Sequence, residues 1–278
     1  MFAQKDSQQF PRSRPQDLLC FDFDGTLVDR ESEPGFDPRL ADCLRDLSER
    51  GARWVINTGR SLMHVLEGLA HYQVPLTPDY IVAREHEIFV RDLAEAWIDF
   101  GEWNANCRRR HDSFFREHRP FLDELRDFLS QSQSGAWLEE QGDAAGLIAH
   151  SETAMVEIIA FVEQRRARFP ELGYQRNSIY LRFTHRDFDK GSALRELASK
   201  LGVPAASIFA AGDNHNDLSM LRHEIAHRLC CPSNALDLVK QQVLEQGGFV
   251  AKSPASTGMI EGLEHYFDLA RPAKQRPA

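Results

Sequence analysis

The chain reads as α/β: a doubly wound parallel sheet that carries an inserted α+β layer. Three observations predict this. Short apolar runs end repeatedly in polar, glycine-bearing loops. Helical periodicity follows each run. In the middle of the chain, over about 85 residues, the pattern changes to helix–strand–strand repeated twice, as helices packed on one face of an antiparallel sheet would give.

Leu18 to Asp22 is a buried strand that delivers acidic and glycine residues at its carboxyl end. Asp37 to Arg50 has Leu40, Cys43, Leu44 and Leu47 at helical spacing, and Gly51 is placed as a stop. Arg53 to Asn57 is a second strand, ending in Thr58-Gly59-Arg60, and Ser61 to His71 is helical. Tyr80 to Ala83 is a third strand, and Glu87–Val90 with Trp97–Phe100 predicts a hairpin. In the insertion, Arg108 to Gln131 predicts one long amphipathic helix. Ala136–Glu140 and Gly146–His150 pair around Gly142-Asp143, Thr153–Arg168 is a helix closed by Pro170, and Tyr174–Thr184 alternates as a strand or hairpin. The βα pattern then resumes with a helix to Leu201, a strand at Ser207–Ala211 and a helix start at Asp217–Arg222. A strand at Ala226–Cys230 and a helix at Leu236–Gln246 complete it. The expected division is a core of residues 1–101 and 186–278 with an inserted layer at 102–185; residues 1–16 and 271–278 read as disordered tails.

Composition restricts the partners. With 278 residues, 42% hydrophobic and 27% charged, the chain has an ordinary globular balance. A net charge of −9 disfavours nucleic acid and anionic membranes. No run approaches the roughly 20 apolar residues that span a bilayer, and the polar start, Met1 to Gln16, does not read as a secretory signal. Five cysteines, Cys20, Cys43, Cys107, Cys230 and Cys231, are odd in number and contain no C-x-x-C pair, which points to reduced thiols in a cytoplasmic protein.

Four polar clusters fall just beyond strand ends, where open α/β sheets form their ligand crevice. They are Asp22-Phe23-Asp24-Gly25-Thr26, Asn57-Thr58-Gly59-Arg60, Lys190-Gly191, and Gly212-Asp213-Asn214-His215-Asn216-Asp217. Their carboxylates are hard oxygen donors that suit Mg²⁺. Carboxylates alone would repel a phosphate dianion; a magnesium ion with Lys190 reverses the sign. His86, His150, His185 and His215 are scattered without zinc-ligand spacing, and Arg108-Arg109-Arg110 reads as a solvated helix start.

The ordered set of D-x-D-G-T, the threonine loop, the lysine and G-D-x-x-x-D resembles the haloacid dehalogenase superfamily of phosphohydrolases. The resemblance implies a Rossmann-like core and a set of roles. Asp22 would be a nucleophile forming an aspartyl-phosphate. Asp24 would be the general acid and then the base, with its main-chain carbonyl on the metal. Asp22, Asp24, Asp213 and Asp217 would form the Mg²⁺ site, Asp217 as ligand or orienter. Thr58, Gly59, Lys190 and Asn216 would bind phosphate. Asn234 either caps the next helix or lies near the site.

Only about ten residues separate Thr26 from the first helix, too few for a folded unit. The long gap lies between Thr58 and Lys190. In this superfamily that marks the class with a large α/β cap, and Asp189 to Leu194 with Gly212 to Leu218 is similar to the Cof-type and sucrose-phosphatase branch. The resemblance therefore implies a small phosphorylated metabolite, a sugar phosphate foremost. Polarity near strands makes Glu139, Arg176, Arg182 and His185 candidate cap contacts to it, and Arg60 is a further candidate substrate contact. One departure is plain: relatives of the Cof type often carry Asn-Gly after the third strand, where this chain has Arg84-Glu85-His86-Glu87. A phosphotransferase or mutase using the same aspartyl-phosphate, and a silent phosphometabolite-binding module, are the competing readings.

Overall fold

The structure, a computed structural model, describes residues 14–138 and 146–269. Its larger sheet has eight strands. In chain order these are β1 (Leu18–Phe21), β2 (Arg53–Asn57), β3 (Tyr80–Ala83), β4 (Glu87–Arg91) and β5 (Trp97–Asp99), and, after the insertion, strands here numbered β10 (Ile208–Ala211), β11 (Arg228–Cys231) and β12 (Phe249–Val250). Their spatial order is β12-β11-β10-β1-β2-β3-β4-β5, with β4 antiparallel to both β3 and β5 and every other pairing parallel.

Strand periodicity sorts the core into two layers. On one face Leu19, Phe21, Ile56 and Phe209 pack under α1 (Pro38–Glu49), α2 (Leu62–His71) and the final helix α8 (Ala255–Tyr266). On the other, Leu18, Cys20, Val55 and Ala210 pack under α6 (Lys190–Leu201) and α7 (Asp237–Glu245). The chain leaves β1 for β2 on one side and reaches β10 on the other, so the loops after β1 and β10 flank the switch in strand order, where a crevice must open.

The insertion builds its own core. Helices α3 (Trp103–Glu117), α4 (Arg119–Ser132) and α5 (Glu152–Arg166) accompany an antiparallel sheet of β6 (Gly135–Leu138), β7 (Gly146–Ala149), β8 (Leu172–Asn177) and β9 (Tyr180–His185), ordered β6-β7-β9-β8. Leu181 and Phe183 of β9 face Phe121, Leu125 and Met155 in that core.

Several expectations need correction. The single helix at 108–131 is two helices that meet at His118, because Pro120 lacks the N–H that a continuous helix would use and its ring would crowd the preceding turn. No helix starts at Asp217: the segment makes a single 3₁₀ turn, His215–Asp217, since the Asp217 carboxylate bonds back to the amides of Asp213 and Asn214. Sequence periodicity missed β12 and α8. The lead-in is also shorter than expected, for Pro15 is buried and the Gln16 amide donates to Gly51. Residues 1–13 and 270–278 and the turn at Gly142-Asp143 lie outside the described residues. Among the described residues no helix is long and apolar enough to cross a membrane.

Where α3 leaves the core and β9 returns to it, aromatic rings pack the junction. The His86 and His111 rings lie 4.5 Å apart, Phe188 lies 5.2 Å from His111, and Trp103 donates to the His86 carbonyl at 2.7 Å. Burial, then the neighbouring His111, holds His86 well below the ordinary histidine range; burial, then His185, lowers His111 to about 4. In the unfolded chain these rings protonate as pH falls through about 6.5. The unfolded state therefore binds more protons between about pH 6.5 and 4, and stability falls across that window as pH is lowered. Replacing His111 by Phe is expected to reduce the drop in thermal midpoint between about pH 7.5 and pH 5; an unchanged drop would contradict this origin.

Candidate active site

Five loops at the carboxyl ends of parallel strands, or at the start of α6, converge on one buried ammonium. Lys190 has no exposed surface, and its Nζ donates to Asp22 Oδ1 at 2.5 Å and to Asp217 Oδ1 at 2.6 Å. Local sequence fixes it there. Asp189 caps α6 by accepting from the Ser192 amide at 2.6 Å, and Asn57 at the end of β2 donates to the Lys190 carbonyl at 3.0 Å. Gly191 packs against the Ser219–Met220 backbone with no room for a Cβ.

Around this cation the charge does not balance. Asp22, Asp213 and Asp217 can each bring a carboxylate oxygen within 4.8 Å of the others, with only Lys190 bonded among them. Burial would lower the Lys190 ammonium, but Asp217, Asp22 and Glu85 outweigh it and hold it above its ordinary value. Burial pushes Asp22 well above the usual carboxylate range; Lys190 opposes this, while Asp217 and Asp213 add to it. Asp213 rises to about 7, through burial first and Asp217 second, despite a 2.8 Å hydrogen bond from Thr26. A second positive charge is what this group lacks.

The donor set fits a hard divalent cation. Asp217 is fully used, one oxygen by Lys190 and the other by the Asp213 and Asn214 amides, each at 2.8 Å, so it is placed to orient the group. Among the described residues, Asp22 and Asp213 each accept through Oδ1, so that Oδ2 of each is available to a cation. Gly25, at φ +81°, makes the turn after β1, and a Cβ there would lie 2.7 Å from Asp213 Oδ2.

Asp24 points elsewhere. Its carboxylate takes Arg60 Nε at 2.7 Å and Nη2 at 2.6 Å in a bidentate pair, and Arg30 Nε at 2.9 Å. Arg60 is thereby assigned to Asp24, with its guanidinium 4.9 Å from the Phe23 ring centre. Thr58 is buried, and its hydroxyl accepts from the Arg60 amide at 3.2 Å. Asn216 is buried and donates to Glu85 Oε1 at 2.7 Å; Arg182 of β9 reaches across to donate to the Gly59 carbonyl at 2.8 Å.

Asp22, Asp24, Arg30, Thr58, Gly59, Arg60 and Glu85 line a cleft of about 1360 Å³ between the two sheets, walled on the insertion side by Gln175, Asn177, Tyr180 and Arg182. Two expected contacts are not on its wall. Arg176 is turned to Glu152 and the Ser178 carbonyl, and His185 is buried at the junction beside Arg110. Glu139 lies outside the described residues. Asn234 does not cap α7: it donates to the Gly25 carbonyl at 2.8 Å and accepts from the first amide of α8 at 2.9 Å, tying the α8 start to the Asp22 loop. The sequence assigns no role to Thr26, Arg30, Asn57 or Glu85, although Thr26 and Asn57 stand in the polar clusters at the strand ends.

Removing the Lys190 charge leaves two buried carboxylates uncompensated. Lys190→Met is expected to cost about 3–5 kcal/mol in urea unfolding at neutral pH with chelator present. Adding Asp217→Asn should return part of that loss, a coupling readable in a double-mutant cycle. Additive losses would contradict the pairing.

The family described as haloacid dehalogenase-like hydrolase matches residues 19–84 and 118–256. The chain is 24% identical over 255 residues to 5-amino-6-(5-phospho-D-ribitylamino)uracil phosphatase YcsE of Bacillus subtilis, covering 90% of this chain and 95% of that protein. Among solved structures, the sucrose-phosphatase of Synechocystis sp. PCC6803, in complex with sucrose and phosphate, superposes with a TM-score of 0.71 at 17% identity, over 91% of this chain and 98% of that one. A sugar phosphatase of subclass IIB gives 0.65 at 17% identity, over 90% and 98%. The matched residues span the loops after β1, β2 and β10 and the start of α6, with the α+β insertion between the second and third of the four clusters. This chain therefore belongs to the haloacid dehalogenase-like hydrolases, as a phosphatase of that family.

Proposed function

We propose that the protein hydrolyses a phosphate monoester of a small metabolite, a sugar phosphate foremost, through a phospho-Asp22 intermediate and with Mg²⁺. The observation that carries this is the buried Lys190 held between Asp22 and Asp217 while Asp22 Oδ2 and Asp213 Oδ2 have no donor among the described residues. Asp22 and Asp213 would hold the magnesium ion, with Asp217 orienting them and the Asp24 carbonyl as a further oxygen. When bound, the ion would neutralise charge on the phosphoryl group.

The residues of the chain supply the rest. Asp22 attacks phosphorus in line as the bond to the leaving alkoxide breaks. Thr58, the Gly59 loop, Lys190 and the second N–H of Asn216 steady the equatorial oxygens. Asp24 hands a proton to the departing alkoxide and later takes one from the water that cleaves the acyl phosphate. To do so it must let go of at least one of Arg60 and Arg30, which grip it in the resting structure. Residues 102–185 would serve as the cap, with Arg182 its contact to the phosphate loop. The size of the cleft, the polar side chains on its insertion wall and the sugar phosphatase among the similar structures support a hydroxyl-rich leaving group. All five cysteines are free thiols, which supports a cytoplasmic setting.

Phosphate release from p-nitrophenyl phosphate tests the reading. Activity is expected with Mg²⁺ and its loss with EDTA, restored by excess Mg²⁺. Asp24→Asn should lower kcat on an alkyl phosphate by about 10²–10⁴-fold, with a smaller loss on the nitrophenyl ester, whose leaving group needs no proton. Undiminished turnover in EDTA would overturn the metal assignment. Phosphate appearing only on an added alcohol, and not free, would favour a transferase.

A further inference from the structure

The loop after β3 holds a carboxylate to which the mechanism above gives no task. Arg84 and Glu85 both adopt left-handed backbone, φ +48° and +69°, where Asn-Gly would sit at lower cost. Amide bonds from Arg84 to the Arg60 carbonyl and from Glu85 to the Thr58 carbonyl, each 2.9 Å, fix that turn to the phosphate loop. Strain of this kind persists where the surroundings impose it and clusters at functional sites.

Its effect is to aim the Glu85 side chain into the site. Glu85 is 4% exposed and lies on the wall of the cleft. Oε1 accepts from Asn216, and a Cβ on Gly59 would fall 3.3 Å from it, so the carboxylate rests against two of the groups assigned to phosphate. Oε2 is buried and has no donor among the described residues. Leaving such an oxygen unsatisfied costs stability, and a carboxylate beside a phosphate dianion repels it. Glu85 is not among the three acids grouped as a cation site. Burial is the main effect raising the Glu85 carboxyl, while Lys190 and Arg182 oppose it. With those two cations already facing Glu85, a neutral donor is enough to satisfy it.

We propose that Glu85 is a specificity-determining residue whose free oxygen accepts a hydrogen bond from a hydroxyl of the leaving group, so that the enzyme selects phosphate esters of polyhydroxy alcohols. This rests on the phosphatase reading above. A substrate that brings the hydroxyl satisfies Oε2; one that lacks it leaves a buried carboxylate unpaired next to the phosphate, and is rejected for that reason. The rival role, in which Glu85 only orients Asn216, would affect all phosphate esters alike.

Sorbitol 6-phosphate and n-hexyl phosphate differ only in hydroxyl groups and separate the two roles. In the wild type, kcat/KM should favour the sorbitol ester. Glu85→Gln weakens the acceptor, and Glu85→Gly, which suits the positive φ, removes it; circular dichroism melts establish that each variant folds, and the glycine variant is decisive if the glutamine one does not. Either should lower the ratio of the two kcat/KM values by about tenfold or more, the scale of one hydrogen bond to a charged group. Equal losses on both esters, or a wild type indifferent to the hydroxyls, overturn the proposal and leave the phosphatase reading standing. A wild type that releases phosphate from neither ester, nor from p-nitrophenyl phosphate, overturns that reading instead.

Discussion

One buried ammonium organises this molecule. Lys190 is shut away from solvent and bridges Asp22 after β1 to Asp217 after β10, segments 168 and 27 residues away in sequence. A charge so placed is tolerable only when paired and hydrogen-bonded. The requirement therefore reaches outward: Asp217 must be held by the Asp213 and Asn214 amides, the start of α6 by Asn57, and α6 itself by its Asp189 cap. The insertion can depart after β5 and return before α6 because the carboxylate partners come from the two strands that flank the switch in strand order.

The same arrangement leaves the site short of positive charge. Three carboxylates cluster beside one ammonium, which bonds two of them, and burial first, then Asp217, raises Asp213 to about 7. Preorganised charge of this kind is costly to the empty fold and useful to a reaction that gathers negative oxygens around a cation. The left-handed turn at Arg84 and Glu85 follows the same logic, since local strain holds a carboxylate against the phosphate loop. Arg60 likewise grips the Asp24 carboxylate in a bidentate pair, which the proposed proton transfer requires it to loosen.

Much of this was legible in the chain. Strand runs that end in Asp22, Asn57 and Ala211 carry their polar loops on the strand termini, so the location of the site follows from pattern alone. The resemblance supplied the candidate roles. Arg60 was read as a substrate contact because nothing in its spacing shows that it closes on Asp24, 36 residues earlier. Arg176 and His185 were chosen by polarity near strands, but side-chain direction depends on register, and register depends on pairing partners that sequence does not display. The break at His118 was available in Pro120 and was outweighed by the charge pattern around it. α8 escaped because Gly258 and Gly262 dilute its apolar face, though at Gly262 the helix packs so near Cys230 that a Cβ would fall 2.5 Å from its Sγ.

The central claim is that Asp22, paired with Lys190, carries the phosphoryl group during turnover. Quenching the enzyme in acid while it turns over a phosphate ester with Mg²⁺, digesting it and weighing the peptide that contains Asp22 tests this most directly. The account predicts a fraction of that peptide heavier by one phosphoryl group, on Asp22, and none in Asp22→Asn. An unmodified peptide during confirmed turnover at a saturating substrate concentration, with the label found on another residue, would contradict it.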